Sequence, residues 1–216
     1  MTTEKKTEDK YQEIGKLLSK KKFSLARRTA EKLAGSDTQF LCEVASLFNN
    51  LGQSLSAKHL FKRALEIDPK NPIAHYSYGL HLKSQKQLKD AETEFKTAIK
   101  YKPDYMQAHC MLGNTLLEQD KIKAAEKKFN DVLETDKNNL YALTGIAAVH
   151  LRRQEFDEAE QIYKKLIKLE KKYPVPYINL IMLYNQQGRE KETKKMMKLA
   201  EKANLKITLK KDVPKE

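Results

Sequence analysis

The hydrophobic positions of this chain repeat at an interval of 34 residues over most of its length. One position of the repeat holds a large side chain, at Phe61, Phe95, Phe129, Tyr163 and Met197. Four residues earlier stands a small one, at Ala57, Ala91, Ala125, Ala159 and Thr193. A third position holds Ala64, Ala98, Val132, Leu166 and Ala200. A constant internal period of this length indicates a repeat architecture, in which each unit buries its apolar face against its neighbours.

Each repeat consists of two stretches with apolar residues at helical spacing, separated by a short turn. Pro69 ends one helix because proline has no N–H to continue the helical hydrogen bonds, and Pro72 and Pro174 stand at first helical turns, where proline is tolerated. Ser36 or Asp37 is expected to cap the helix that begins at Thr38. The pattern predicts antiparallel helix pairs at residues 38–71, 72–105, 106–139, 140–173 and 174–204.

The small residues predict how closely the two helices of a pair approach each other. Alanine at Ala57 and its equivalents leaves room for the facing helix, and Gly79 and Gly113 are expected to admit a close crossing. The aromatic residues one turn later, such as Phe61 and Phe95, are expected to fill the space between helices and to be buried. Because one pair cannot cover this face alone, neighbouring pairs must stack.

The two ends of the chain depart from the regular pattern. Residues 1–9 are polar and predict a flexible lead. Residues 10–34 predict a helical hairpin with a shorter repeat, since Gly15 and Ala45 are only 30 residues apart. An irregular first repeat is typical of a capping unit. Residues 205–216 are a tail without a predicted element.

Charge is concentrated at the ends of the chain. The formal net charge is +13, of which residues 1–34 carry +5 (ten basic and five acidic residues) and residues 164–216 carry +9 (fifteen and six), whereas residues 35–163 carry −1 (seventeen and eighteen). Such a distribution favours an acidic partner or surface that contacts the ends. The alternative is a solvated lysine-rich face without a partner.

The cellular compartment of the protein is predicted from its lack of long apolar segments and from the positions of its two cysteines. No apolar run approaches the roughly 18 residues that a membrane span needs, and the polar N-terminus predicts no secretory segment. Cys42 and Cys110 fall at the same position of two repeats that are not adjacent, too far apart for the ~7 Å limit of a disulfide. We therefore expect two free thiols and a cytoplasmic protein.

The repeat resembles the tetratricopeptide repeat, a family with the same period. Two repeats match the small, aromatic, small and proline positions of its signature, at Ala57, Phe61, Ala64 and Pro69, and at Ala91, Phe95, Ala98 and Pro103. Leu112 and Gly113 match its Leu-Gly pair. His75, His109 and His150 depart from the signature, and the fifth repeat keeps only Tyr177, Leu180, Tyr184 and Ala200. The resemblance covers residues 38–204 well and residues 10–34 weakly.

The resemblance implies an all-α fold, a right-handed superhelical solenoid of antiparallel helix pairs with about six helical hairpins. It also implies a non-catalytic scaffold that binds protein or peptide ligands in a concave groove. One degenerate repeat followed by five regular ones is similar to the layout of magnetosome-associated tetratricopeptide repeat proteins, which self-assemble and coat a membrane vesicle. A homo-oligomer, with a magnetosome coat as its finer form, is therefore an expectation of this resemblance.

Motifs for catalysis are not found in the sequence. There is no Gly-rich phosphate loop, no His-Glu-x-x-His and no Cys-x-x-Cys, so we expect no enzyme, no cofactor and no metal. His75 and His109 share a repeat position and line up on adjacent first helices. We expect each to be buried and hydrogen-bonded to the neighbouring repeat, and a metal pair is the alternative.

The candidate binding surface lies on the first helices, at the inward second, fifth, ninth and twelfth positions of each repeat. The mixture of amide, hydroxyl and apolar side chains there suits an extended or helical peptide. For individual residues the alternative is packing within the repeat array. The candidate groove residues are Cys42, Asn49, Ile73, Tyr76, Leu80, Lys83, Gln107, Cys110, Asn114, Leu117, Tyr141, Thr144, Ile178, Met182 and Asn185.

A basic patch on the last helix supports a second hypothesis, that of an adaptor for an anionic membrane surface or RNA. Its lysines recur at helical spacing, which predicts peripheral contact with an anionic membrane. RNA is disfavoured because no aromatic residues are interleaved with the lysines. The patch comprises Lys191, Lys194, Lys195, Lys198, Lys202 and Lys206.

Overall fold

The computed structural model describes residues 3–207, and the side chains of residues 8–207. Residues 3–207 contain twelve α-helices and no strand. The predicted all-α class with about six helical hairpins is confirmed. The helices are α1 (Thr3–Ser19), α2 (Phe23–Ala34), α3 (Thr38–Asn50), α4 (Ser54–Ile67), α5 (Pro72–Ser84), α6 (Leu88–Tyr101), α7 (Met106–Glu118), α8 (Ile122–Thr135), α9 (Leu140–Arg152), α10 (Phe156–Leu169), α11 (Pro174–Gln186) and α12 (Glu190–Lys202).

The chain divides into two compact units, residues 1–119 and residues 120–216. Helices α1 to α7 lie in the first unit and α8 to α12 in the second. The ten helices from α3 to α12 fall two by two inside the five repeats predicted from the sequence, beginning with α3 and α4 in residues 38–71. In residues 3–207, none of the helices is long and apolar enough to cross a membrane.

The N-terminal end differs from the expected flexible lead over residues 1–9, because α1 already begins at Thr3. Between Thr3 and Tyr11 the sequence has no Gly or Pro and is rich in Glu and Lys, which favour helix, so nothing stops α1 from extending over these residues. Tyr11 packs edge-on against Phe40 with ring centroids 5.0 Å apart, and Ile14 is fully buried. The first hairpin is thus covered by contacts within its own unit.

The tail also differs in part from the sequence-based expectation. Leu205 and Ile207 pack against the hydrophobic core of the second unit, so ordered packing extends beyond the end of α12. Residues 208–216 of the predicted tail lie outside the described part of the chain.

The core of the first unit contains the predicted aromatic residues. Phe61 is 1% exposed and Phe95 is fully buried. The ring of Phe61 lies 5.9 Å from that of Tyr78, on the helix that begins the next pair. A Cβ atom built on Gly79 would lie 2.8 Å from the ring of Phe95, so only glycine allows this contact without a shift. The close approach predicted at Gly79 is confirmed.

The second unit has an even tighter contact, which the sequence did not predict. Phe129 of α8 is fully buried, and a Cβ atom on Gly145 of α9 would lie 2.3 Å from its ring. Phe95 packs on Gly79 of its own helix pair, whereas Phe129 packs on Gly145 of the following pair. The aromatic position of the repeat thus contacts the next pair as well as its own.

Helix starts and turns follow local rules. Asp37 accepts a hydrogen bond from the N–H of Phe40 at 3.0 Å, which confirms it as a cap. Asn71 accepts from the N–H groups of Ile73 and Ala74, both at 3.0 Å. Turns between the two helices of a pair place one residue at positive φ, which favours glycine. That position is occupied by Gly52 (72°), Lys86 (60°), Asp120 (60°), Gln154 (63°) and Gly188 (69°).

Two of the histidines that depart from the family signature, His75 and His109, connect a first helix to the turn before it. Nε2 of His75 donates to the carbonyl of Pro69 at 3.0 Å, and Nε2 of His109 lies 2.9 Å from the carbonyl of Pro103. Nδ1 of His75 lies 2.6 Å from Oε2 of Glu94. The carbonyl partners belong to the preceding repeats, so the predicted bond to a neighbouring repeat is confirmed. Both side chains are half-buried rather than buried as predicted, because each lies at the start of its helix beside an exposed turn.

One carboxylate joins two helix pairs of the second unit. Glu160 of α10 is 8% exposed, and it accepts hydrogen bonds from Nη1 of Arg189 at 2.7 Å and from Nζ of Lys164 at 2.5 Å. Burial favours the neutral acid, but these charged donors outweigh it and lower the pKa of Glu160 to about 2. Glu160 is therefore ionised and connects α10 to the start of α12 through a salt bridge with Arg189.

Candidate partner-binding surfaces

A concave surface of the first unit lies between α3 and α5, which pack side by side. Shallow clefts of about 250, 220 and 160 Å³ follow one another along these helices and share lining residues. We call this the α3–α5 surface. Its lining includes Gln39, Cys42, Ser46, Asn49, Ile73, Ser77, Leu80 and His81.

The predicted residues of α3 and α5 meet on the α3–α5 surface. Ile73 is 50% exposed and Leu80 is 37% exposed, so both offer apolar contact area. Cys42 is only 5% exposed but borders the cleft beside Ile73. Asn49 accepts a hydrogen bond from Nδ1 of His81 at 2.9 Å, which holds its amide at the cleft wall.

Other predicted residues of the first unit already have partners. Tyr76 is half-buried, and its ring lies 5.0 Å from that of Tyr105. Nζ of Lys83 donates to Glu118 of α7, so its charge is locally compensated. Both side chains are thus held in place, and a ligand would meet an ordered surface.

The residues predicted on α7 divide into two groups. Gln107 is exposed and Asn114 is half-buried, so both remain candidates for contact. Cys110 is 2% exposed and Leu117 is 7% exposed. Contrary to the prediction, these two side chains offer almost no surface, because neighbouring atoms close over them.

In the second unit the predicted residues lie on α9 and α11, and two of them are large exposed side chains. Tyr141 is 61% exposed and Met182 is 58% exposed. The hydroxyl of Thr144 lies 3.2 Å from that of Tyr173, whose ring lies 6.4 Å from Tyr141. Ile178 is half-buried and Asn185 exposed. Large exposed aromatic and thioether side chains are typical of protein contact sites.

Some residues near the candidate surfaces were not predicted, although the sequence pattern could have identified them. Ser77 and His81 lie one position beside those selected on α5, and a wider helical face would have included them. Tyr105 and Tyr173 occupy one repeat position that alternates with the capping residues Asn71 and Asn139. That alternation, visible in the sequence, marks where an aromatic ring replaces a cap and packs on the preceding first helix.

Both cysteines predicted in the groove, Cys42 on α3 and Cys110 on α7, are buried thiols. Burial raises the pKa of the Cys42 thiol to about 12 and that of Cys110 to about 11. Thiols that stay protonated are poor nucleophiles and metal ligands. Across the described residues, no group of three or more His, Cys, Asp or Glu side chains is placed to hold a metal ion.

The predicted basic patch is exposed in full. All six lysines lie at the surface, five of them on α12 and the last just after it. These residues are Lys191, Lys194, Lys195, Lys198, Lys202 and Lys206.

Comparisons with known proteins agree with the observed fold of repeated helix pairs. A family model described as tetratricopeptide repeat matches residues 51–112 and 116–174. No curated protein sequence matches the chain.

Several solved structures are similar in fold. A tetratricopeptide repeat protein from Parabacteroides merdae has a TM-score of 0.75 at 17% identity, covering 94% of this chain and 82% of its own. MamA from Desulfovibrio magneticus has a TM-score of 0.62 at 19% identity, covering 78% and 97%. YrrB, described as a repeat protein with an unusual peptide-binding site, has a TM-score of 0.56 at 18% identity, covering 82% and 92%. Identities this low show the fold alone.

Proposed function

This chain belongs to the tetratricopeptide repeat family, and we propose that it is a non-catalytic scaffold that holds segments of partner proteins against its first helices. The fold supports binding of protein or peptide partners. The α3–α5 surface is the first candidate contact region, and the exposed side chains of Tyr141 and Met182 in the second unit are the other candidates.

The exposure of Ile73 and Leu80 between polar groups is the observation that carries this proposal. These residues lie seven positions apart on α5, about two helical turns, so both project from the same side of the helix. Ser46, Asn49 and Ser77 line the adjoining clefts with hydroxyl and amide groups. Such a surface offers apolar anchors and hydrogen bonds to a peptide backbone at the same time.

A double variant tests the surface without disturbing the core. Ile73→Ser with Leu80→Ser removes both anchors, and Leu55→Ser is the matched control, since Leu55 is 86% exposed and lies outside this surface. We expect affinity purification with mass spectrometry to recover partners with the wild-type chain and the control, and to lose them with the double variant. Equal partner recovery by all three chains would contradict the assignment of this surface.

Self-association and a coat on a magnetosome membrane form the finer part of the proposal. The similarity in fold to MamA is in line with it but stays at the level of the fold. Tyr11 on one side of α1 packs against Phe40 of α3 in the same unit, so we propose that self-association uses surface outside this contact. Sedimentation velocity over a wide concentration range tests this, and a constant monomer mass throughout would rule self-association out.

A further inference from the structure

The outward side of α12 carries a continuous row of lysines. Lys191, Lys195, Lys198 and Lys202 follow one another at spacings of four, three and four residues, which places them on one side of the helix. Lys194 lies beside them, and all five residues are exposed. With a rise of about 1.5 Å per residue, this lysine row is about 16 Å long.

The opposite side of α12 fixes the direction in which the lysine row points. Thr193 and Met196 are 7% exposed and Ala200 is 1% exposed, so this side is packed into the second unit. Leu205 and Ile207 pack against the same core and hold the chain after α12 in place. The row is therefore presented by an ordered helix, and its orientation does not depend on a ligand.

Little of the positive charge on the row is compensated nearby. Glu190 pairs with Lys194 at 3.8 Å, and Glu192 is engaged by Nε of Arg189 at 2.9 Å. Glu201 is exposed at the edge of the row. Among the side chains of residues 8–207, no ion pair joins the other four lysines of the row to a carboxylate. An anionic surface approaching α12 would thus meet a nearly uniform positive face.

We propose that the lysine row docks on the anionic headgroups of a phospholipid membrane. Each lysine near such a surface contributes on the order of fivefold to binding, equivalent to about 1 kcal/mol. Leu199 is 39% exposed and follows Lys198 at the edge of the row, where an apolar side chain can enter the headgroup layer.

The composition of the row favours lipid over nucleic acid. It contains no arginine for bidentate phosphate contacts and no aromatic residue on which a base could stack. Lysine is a compact point charge that needs no fixed geometry from its partner, and this suits mobile headgroups. The row lies on α12 of the second unit and shares no residue with the α3–α5 surface of the first unit, so membrane docking does not depend on the peptide binding proposed for that surface.

A charge-matched pair of triple variants tests the inference on the full chain. Lys191, Lys195 and Lys198 are each changed to Gln in the test variant. Lys62, Lys70 and Lys89, which are exposed in the first unit, are changed to Gln in the control. Both variants lose the same net charge. Binding is measured by co-sedimentation with phosphatidylcholine vesicles that either contain or lack phosphatidylserine, with circular dichroism to confirm folding.

We expect the wild-type chain to bind only the vesicles that contain phosphatidylserine. The test variant should bind these vesicles about 100-fold more weakly, because it has lost three lysines. The control should bind within a few-fold of wild type. Raising the salt from about 0.1 M to about 1 M should abolish binding, since the Debye length falls from about 10 Å to about 3 Å. An equal loss in both variants, or binding to single-stranded RNA but not to vesicles, would overturn the proposal.

Discussion

Replacing Gly145 by alanine should destabilise the second unit, although alanine is the better helix former. In an exposed helix this exchange stabilises by about 1 kcal/mol. At Gly145, however, the new Cβ would lie 2.3, 2.4 and 2.5 Å from three ring atoms of Phe129. Normal contact needs about 1 Å more, and the ring is fully buried. Overpacking of this kind lowers the free energy of unfolding by about 1–3 kcal/mol. We expect a value near the upper limit, because three ring atoms lie too close to the new methyl group.

The net expectation for Gly145→Ala is a loss of about 2 kcal/mol in the free energy of unfolding, measured by urea denaturation followed by far-UV circular dichroism. Gly15→Ala is the control, because nothing lies within 4 Å of a Cβ built on exposed Gly15 of α1, and it should stabilise by about 0.5–1 kcal/mol. Gly79→Ala should fall between the two, since its closest approach is 2.8 Å.

A double-mutant cycle identifies the cause of the effect. If the clash with Phe129 is responsible, Phe129→Leu should make room for the methyl group, and the double variant should be more stable than the sum of the single effects by about 1 kcal/mol or more. Additive effects, or a Gly145→Ala variant as stable as Gly15→Ala, would refute the explanation by packing.

Three further predictions concern turns, charge and caps. Gln154→Gly should raise the free energy of unfolding by about 0.5–1 kcal/mol in urea, because Gln154 holds a positive φ that costs a non-glycine residue energy. Glu160 has a folded pKa of about 2, below the ~4.3 of an unfolded glutamate, so its stabilisation is present above about pH 4.3 and is lost as the pH falls towards 2. Urea titrations at several pH values should show a flatter acid limb of stability against pH for Glu160→Gln than for the wild-type chain. Asn71→Ala should cost about 1 kcal/mol through the lost cap of α5, whereas Ser36→Ala should change the denaturation midpoint little.

The periodic spacing of the sequence was sufficient to predict the elements that depend on local rules. Helix ends follow from proline and from side chains that cap free N–H groups, as at Asp37, and these interactions span only a few residues. The burial of Phe61, Phe95 and Phe129 also followed from the period, because a side chain that recurs at one position of a stacked repeat meets the same surroundings each time.

Only the tertiary structure decided how adjacent helices meet. Phe95 packs on Gly79 of its own pair and Phe129 packs on Gly145 of the next pair. The spacing does not show how close either ring comes, because that distance depends on how two helices cross. The same holds for the candidate surface. Cys110 and Leu117 share the spacing of exposed groove positions, yet surrounding atoms bury them. The hydrophobic pattern specifies which side of a helix faces the array, whereas the packing of neighbours specifies which residues of that side a partner can reach.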